Sequence, residues 1–258
     1  MFKDKVAVIT GGALGIGRCL TREFAKVGCK VAFIDINKKE GVHNLNYLLE
    51  NDCDALFYHG DLAKEESLNE FASLVIEKFE KVDFLINNGS INLGGLKSKC
   101  SYADFNQVLK VGVTAPYFLT SLFLPYFSKN SSIINIISTR AFMSQSDTES
   151  YSATKGALFS LTHALAITLE GQIRVNSIAP GWIDTGKYYD DSYIPKHPLN
   201  DQHQHPSKRI GIAEDIAQVA LFLCDEKNSF INGENITVDG GMSKLMIYNG
   251  DYGWSYRG

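Results

Sequence analysis

The sequence has no low-complexity tract, no internal repeat and no unbroken apolar run of the roughly 20 residues that a bilayer-spanning helix requires. Membrane anchoring is therefore not expected. MFKDK leads directly into VAVIT with no signal-type apolar stretch before it, which makes the cytoplasm the expected location. There is no CxxC pair. The five cysteines, at positions 19, 29, 53, 100 and 224, are odd in number and widely spaced, a pattern of reduced thiols that mostly fill apolar space. Basic residues are scattered and the formal net charge is −4, so nothing builds the stripe that a nucleic-acid backbone needs. His197, His203 and His205 lack a nearby cysteine to complete a ligand set, and no metal is expected.

What the chain does have is 258 residues, 45% of them hydrophobic, enough to bury the core of one α/β domain. Short β-rich runs occur at VAVIT (6–10), KVAFID (30–35), ALFYHG (55–60), VDFLIN (82–87), SIINIIS (132–138), IRVNSIA (173–179) and NITVD (235–239). They alternate with segments of helical period at about 15–27, 38–50, 64–80, 102–127, 150–170 and 213–224. That alternation predicts a doubly wound parallel sheet of Rossmann type, with crossover helices on both faces. The whole of 1–258 reads as a single domain. A stretch without clean period at about 185–210, rich in Tyr, Asp, His and Pro, reads as a lid, and an aromatic tail runs over 243–258.

The first strand ends in Thr10-Gly11-Gly12-Ala13-Leu14-Gly15-Ile16-Gly17, after which helical period resumes. A glycine-rich turn at a helix N-terminus lets backbone N–H groups approach a pyrophosphate closely, with the positive end of the helix dipole behind them. Asp35 ends the second strand, where a carboxylate accepts from ribose hydroxyls and repels a 2′-phosphate. Leu14 and Ile36 supply no basic group for such a phosphate, so the expected cofactor is NAD, with Lys38 and Lys39 pulling the other way. Asp61 has two readings, a contact to the adenine amino group or a cap on the following helix.

Tyr151 and Lys155 stand four apart at the start of a helical segment, which puts both on one face. A phenol is a poor base at neutral pH, and a neighbouring ammonium together with a positive nicotinamide would favour phenolate and proton exchange with a substrate oxygen. Ser138, at the C-terminal end of a strand, is placed to hold that oxygen.

Taken together these segments resemble the short form of the short-chain dehydrogenase/reductase family. The resemblance runs in order through TGGALGIG, Asp35, Asp61-Leu62, Asn87-Asn88-Gly89, Ser138, YSATK, Asn176, PGWIDT and VDGG (238–241). It implies Tyr151 as acid/base, Ser138 as oxyanion partner, and Lys155 also as a ligand of the nicotinamide ribose. It further implies cofactor contacts from Leu62, Asn88, Gly89, Pro180, Gly181, Ile183 and Thr185. The four-residue gap between Tyr151 and Lys155 is unlike the enoyl reductase branch, and the short C-terminal part is unlike the extended epimerase branch. Two positions depart from the family pattern. Gly112 replaces a common asparagine, keeping a carbonyl for a water chain to the lysine while losing the side chain. Asn87-Asn88-Gly89-Ser90 replaces NNAG. A non-catalytic NAD-binding relative is the rival reading from another class.

The implied partner is a small secondary alcohol or ketone, with polyols, sugars and hydroxyacids ranked ahead of hydroxysteroids. Arg140 reads either as a receiver of a substrate carboxylate or phosphate or as half of a subunit ion pair. Trp182, Tyr188, Tyr189 and Tyr193 read as pocket walls or as lid packing. Helices 102–127 and 150–170 carry more apolar surface than one sheet face can cover, which together with the resemblance implies a homotetramer, or failing that a dimer. The tail, with Tyr248, Tyr252, Trp254 and Tyr256, is expected to cross a subunit contact and help wall a substrate pocket.

Overall fold

The computed structural model describes residues 2–253 and residue 255 of the chain. Seven parallel strands form one sheet in the order β3-β2-β1-β4-β5-β6-β9. These are β1 Val6–Thr10, β2 Lys30–Asp35, β3 Ala55–His59, β4 Val82–Asn87, β5 Phe127–Ile136, β6 Ile173–Pro180 and β9 Asn235–Val238. A separate two-stranded pair joins β7 Ile183–Asp184 to β8 Gly211–Ile212, so the lid segment is tied at both ends. Central strands β1 and β4 are buried at every residue, which is why they read as continuous apolar runs rather than alternating ones.

Helices α1 Gly15–Lys26, α2 Lys38–Glu50 and α8 Ala213–Cys224 cover one face, around Leu20, Phe24, Leu48 and Ile216. On the other face α3 Glu65–Phe79, α5 Ala115–Phe123 and α6 Glu149–Thr168 enclose Phe71, Leu119, Phe123 and Leu165. A short α7, Leu199–His203, lies in the lid. Cys19, Cys29, Cys53 and Cys224 are buried free thiols, and burial pushes each of them upward in pKa.

Two elements differ from the expectation. Residues 102–127 are not one helix: α4 Tyr102–Leu109 passes into a widened π turn at Lys110–Thr114 before α5 begins. Pro116 supplies the reason, because it has no N–H for the Gly112 carbonyl four residues back and its ring would collide with that carbonyl in a regular helix. By length and hydropathy Tyr102–Tyr126 passes for a membrane span, yet Val111, Ala115, Leu119 and Phe123 pack it into the core. The strand expected over 132–138 instead starts at Phe127 and stops at Ile136, so Ser138 stands two residues beyond it. There Ser138 accepts a hydrogen bond on its Oγ from the Arg140 N–H at 3.2 Å, which starts a short 3₁₀ turn, Thr139–Ala141.

Candidate active site

The strand order reverses direction from β1, and the crevice beyond the strand ends at that point is where open α/β sheets take ligands. Thr10 clamps it: its hydroxyl accepts from the N–H groups of Asn88 at 3.0 Å and Gly89 at 2.9 Å, joining the ends of β1 and β4. The Asn88 amide donates back to the Thr10 and Gly11 carbonyls, both at 3.1 Å. The chain then turns with φ of +66° at Gly11 and +57° at Gly15, where glycine carries no steric penalty. A Cβ on Gly17 would lie 1.8 Å from the Gly11 carbonyl oxygen, so α1 starts tight against the turn. Buried Arg18 braces the turn from behind, donating to the Ala13 carbonyl and pairing with Glu40 at 2.6 Å. Sequence reasoning passed over Arg18, although its place directly after the glycine turn was a usable signal.

Asp35 is fixed by two backbone donors, Ala13 at 3.0 Å on Oδ2 and Asn37 at 2.9 Å on Oδ1. A carboxylate offers about four lone-pair positions, so hydroxyl donors still find acceptors there. From this carboxylate a cleft of about 390 Å³ runs along Gly11, Leu14, Gly15, Ile16 and Gly17, over Asn88, Gly89 and Ser90. It ends among Ser138, Tyr151, Lys155, Pro180, Gly181, Ile183 and Thr185. The glycine cradle, free of Cβ atoms and facing the α1 N-terminus, fits a dinucleotide pyrophosphate. Three expected contacts lie off this lining. Ile36 is exposed, Asp61 accepts from the Ala63 N–H at 2.9 Å in the turn before α3, and Leu62 packs beneath Gly89.

At the far end of the cleft, α6 presents Tyr151 and Lys155 one turn apart. The Lys155 Nζ sits 5.4 Å from the centre of the Tyr151 ring and donates to the Ile136 carbonyl at 2.8 Å. Lys155 is only 2% exposed, and burial lowers its ammonium to about 8. Burial also raises the Tyr151 phenol above its ordinary value, with the Ser138 hydroxyl, the Arg140 charge and the Ser90 hydroxyl pulling back. The expected phenolate is thus not favoured by the protein alone, because desolvation outweighs the nearby donors and charge.

A second cavity, of about 660 Å³, opens on the other side of Tyr151 and shares Ser138, Tyr151, Gly181 and Ile183 with the first. Arg140, Asn92, Gln145, Gln204, Met143, Trp182 and Met242 line it, most of them unmarked in the sequence because they come from five separate segments. The lid tyrosines do not. Tyr188 is buried and donates to Glu214 at 3.0 Å, Tyr193 donates to Asp184 at 3.0 Å, and Tyr189 faces the first cleft beside Gly15. His197 holds Asp184 at 2.7 Å, and His205 is buried with its ring 6.1 Å from Trp182. Tyr193 and His197 thus fasten the lid to β7, and Tyr188 fastens it to α8.

Gly112 lies under α6, where a Cβ would come within 2.2 Å of the Thr154 Cγ2. An asparagine side chain could therefore enter only if Thr154, the neighbour of Lys155, or α6 shifted, a coupling not visible in either segment alone. Met242, just before the tail, reaches the second cavity, whereas Met246, Ile247 and Tyr248 in the tail stay exposed on this chain and line neither cavity. Trp254 and Tyr256, on which the tail expectation also rested, lie outside the described residues, as does the Tyr252 side chain.

Comparison with known proteins agrees with this geometry. A family model described as "Enoyl-(Acyl carrier protein) reductase" matches residues 11–243. An uncharacterised oxidoreductase of Thermotoga maritima is 41% identical over 96% of this chain and 99% of its own length. A 7alpha-hydroxysteroid dehydrogenase of Escherichia coli K12 is 35% identical over 92% of this chain and 93% of its own. The structure of an apo SCOR enzyme from Clostridium thermocellum superposes with a TM-score of 0.88 at 39% identity, covering 98% of both chains. The chain belongs to the short-chain dehydrogenase/reductase family of nicotinamide-dependent oxidoreductases.

Proposed function

We propose that this protein is an NAD-dependent dehydrogenase that interconverts a small secondary alcohol and its ketone, working as a homotetramer in the cytoplasm. The observation that carries the reading is the position of Tyr151, held between a dinucleotide-sized cleft and a separate polar cavity, with Ser138 in both linings and Lys155 one turn behind it. A nicotinamide held at the Ser138–Tyr151 end of the cleft would supply the hydride acceptor for the carbinol carbon. Tyr151 takes the hydroxyl proton, and Ser138 donates a hydrogen bond to the substrate oxygen. Lys155, buried and bonded to the Ile136 carbonyl, orients the cofactor's ribose and places positive charge near the phenol. Burial raises the Tyr151 phenol further above its ordinary value, and the positive charge of an oxidised nicotinamide beside it would offset that and favour proton transfer to Tyr151.

Asp35 supports NAD, because its carboxylate would face the 2′ position of the adenosine ribose and repel a phosphate there. Of the two nearby bases that would oppose this, Lys39 is exposed and 3.8 Å from Glu40, and Lys38 is exposed with no ion pair among the described residues. The four-residue spacing of Tyr151 and Lys155 favours carbonyl over enoyl chemistry. A hydroxysteroid substrate has one observation in its favour, the relative from Escherichia coli. The polyol, sugar and hydroxyacid reading is favoured by Arg140, Asn92, Gln145 and Gln204 in the second cavity, although Met143, Trp182 and Met242 give that cavity apolar surface as well.

The test is a panel of secondary alcohols assayed for reduced-cofactor formation with the wild type and two variants. Tyr151→Phe is expected to lose at least 100-fold in turnover while keeping its affinity for NADH. Asp35→Ala is expected to weaken NAD at least tenfold more than NADP. Substantial turnover by Tyr151→Phe would refute the acid/base assignment, whereas NADH binding without turnover of any alcohol by the wild type would favour a non-catalytic relative.

A further inference from the structure

The second cavity contains one formal charge, and it is positive. Arg140 lies on its wall two residues beyond Ser138, and none of the other lining side chains is an aspartate or glutamate. The guanidinium forms no ion pair among the described residues, and its side-chain hydrogen bond goes to the neutral Gln145 amide. A half-buried arginine without a carboxylate partner is an electrostatic vacancy, since its planar fork of donors is made for a two-oxygen anion and is only partly satisfied by one amide oxygen. Asn92 and Gln204 add neutral polar groups around the same space, while Met143 and Met242 give it apolar walls. The cavity reaches the reacting end of Tyr151, so a ligand held at Arg140 by one end can present a hydroxyl-bearing carbon to Tyr151 and Ser138 with the other.

We infer that the substrate carries an anionic head group, a carboxylate or a phosphate, and that Arg140 receives it. The protein is then a dehydrogenase of small hydroxy acids or hydroxyalkyl phosphates, and Arg140 is its specificity-determining residue. This rests on the alcohol dehydrogenase reading above. Reaction stoichiometry is unchanged: the carbinol C–H pair leaves as hydride to NAD, the hydroxyl proton goes to Tyr151, and the anion stays intact as the anchor. The charge also lies close enough to act on the Tyr151 phenol, so neutralising it with a bound anion ties the protonation of Tyr151 to occupancy of the head-group site.

The experiment measures kcat and KM of the NAD-saturated enzyme for 2- and 3-hydroxy acids against their methyl esters, and for glycerol 3-phosphate against glycerol. Wild type, Arg140→Gln, Arg140→Lys and Tyr151→Phe are compared. The expected result is a preference of at least tenfold in kcat/KM for one anionic class over its neutral partner, and whichever class shows it identifies the head group. Arg140→Gln should raise KM for the anion at least tenfold while changing KM for the neutral partner far less, with Arg140→Lys in between. NADH affinity should be the same in all four proteins. Equal handling of charged and neutral substrates by the wild type would overturn the assignment, as would an unchanged KM in Arg140→Gln or turnover confined to neutral alcohols. An arginine committed instead to a subunit ion pair would show itself as a smaller assembly in Arg140→Gln with no selective change in KM. Turnover that survives in Tyr151→Phe would overturn the acid/base role of Tyr151, and NADH binding with no turnover of any alcohol by the wild type would overturn the dehydrogenase reading itself, a signature distinct from lost anion preference.

Discussion

Lys155 shows how far one residue's environment can move from what its sequence neighbours suggest. Its spacing from Tyr151 was readable, but its complete burial was not, because it comes from tertiary packing that sets the ammonium on the Ile136 carbonyl of β5. With the ammonium lowered to about 8 in the folded chain, the unfolded chain binds more protons between pH 8 and its ordinary value near 10.5. Lys155 therefore contributes stability above that upper value, and the contribution is lost as pH falls through 8. Urea midpoints at pH 8, 9 and 10 should rise with pH for the wild type relative to Lys155→Met. Parallel pH curves for the two proteins would mean that the lysine is not desolvated. Tyr151 carries the same lesson: a phenol, a serine and a lysine can be found by motif, but the balance of burial against charge that sets the phenol's protonation needs the packing.

Among the elements, the joint between α4, the π turn and α5 carries the most consequence for the site. Sequence periodicity alone merges these elements into one helix, since π turns keep the apolar stripe while shifting its phase. Pro116 was the available signal. The same joint brings Gly112 against Thr154, in the helix that carries Tyr151 and Lys155. Gly112→Asn is therefore expected to destabilise by about 1–3 kcal/mol, the usual range for overpacking, and to lower turnover by displacing α6. Adding Thr154→Ser removes the obstructing methyl and keeps a hydroxyl for the Ser150 carbonyl, so the double variant should recover most of both losses. Thermal denaturation and steady-state kinetics on the two proteins check this. A single variant as stable and active as wild type would show that α6 yields easily at this point. By contrast α2 and α8 fall at the residues that periodicity assigns, because each is an ordinary amphipathic helix flanked by clear signals.

For the whole molecule, the parallel sheet and the cofactor cleft were legible because glycines, strand-end carboxylates and buried strands leave local marks. The second cavity was largely hidden, because Asn92, Gln145, Gln204 and Met242 meet only through tertiary folding. Assembly lies between these cases. α6 buries Leu158 and Leu165 in its own chain yet leaves Ile167 73% exposed, and α5 leaves Tyr117 exposed beyond Leu119 and Phe123. Sedimentation velocity is expected to give four chains, and Ile167→Asp combined with Tyr117→Asp should give a smaller species. A wild-type monomer at micromolar concentration would contradict the proposed tetramer.

The four residues common to both cavities, Ser138, Tyr151, Gly181 and Ile183, form a party wall. Whatever fills one chamber becomes part of the boundary of the other. Binding is then a thermodynamic cycle in which the two ligands must alter one another's affinity by the same factor, whichever arrives first. If the dinucleotide completes the shared wall, the organic ligand should bind weakly to the empty protein and tightly to the loaded one, and that ligand should slow dinucleotide departure. The kinetic order of addition would then follow from the architecture, with no moving part required.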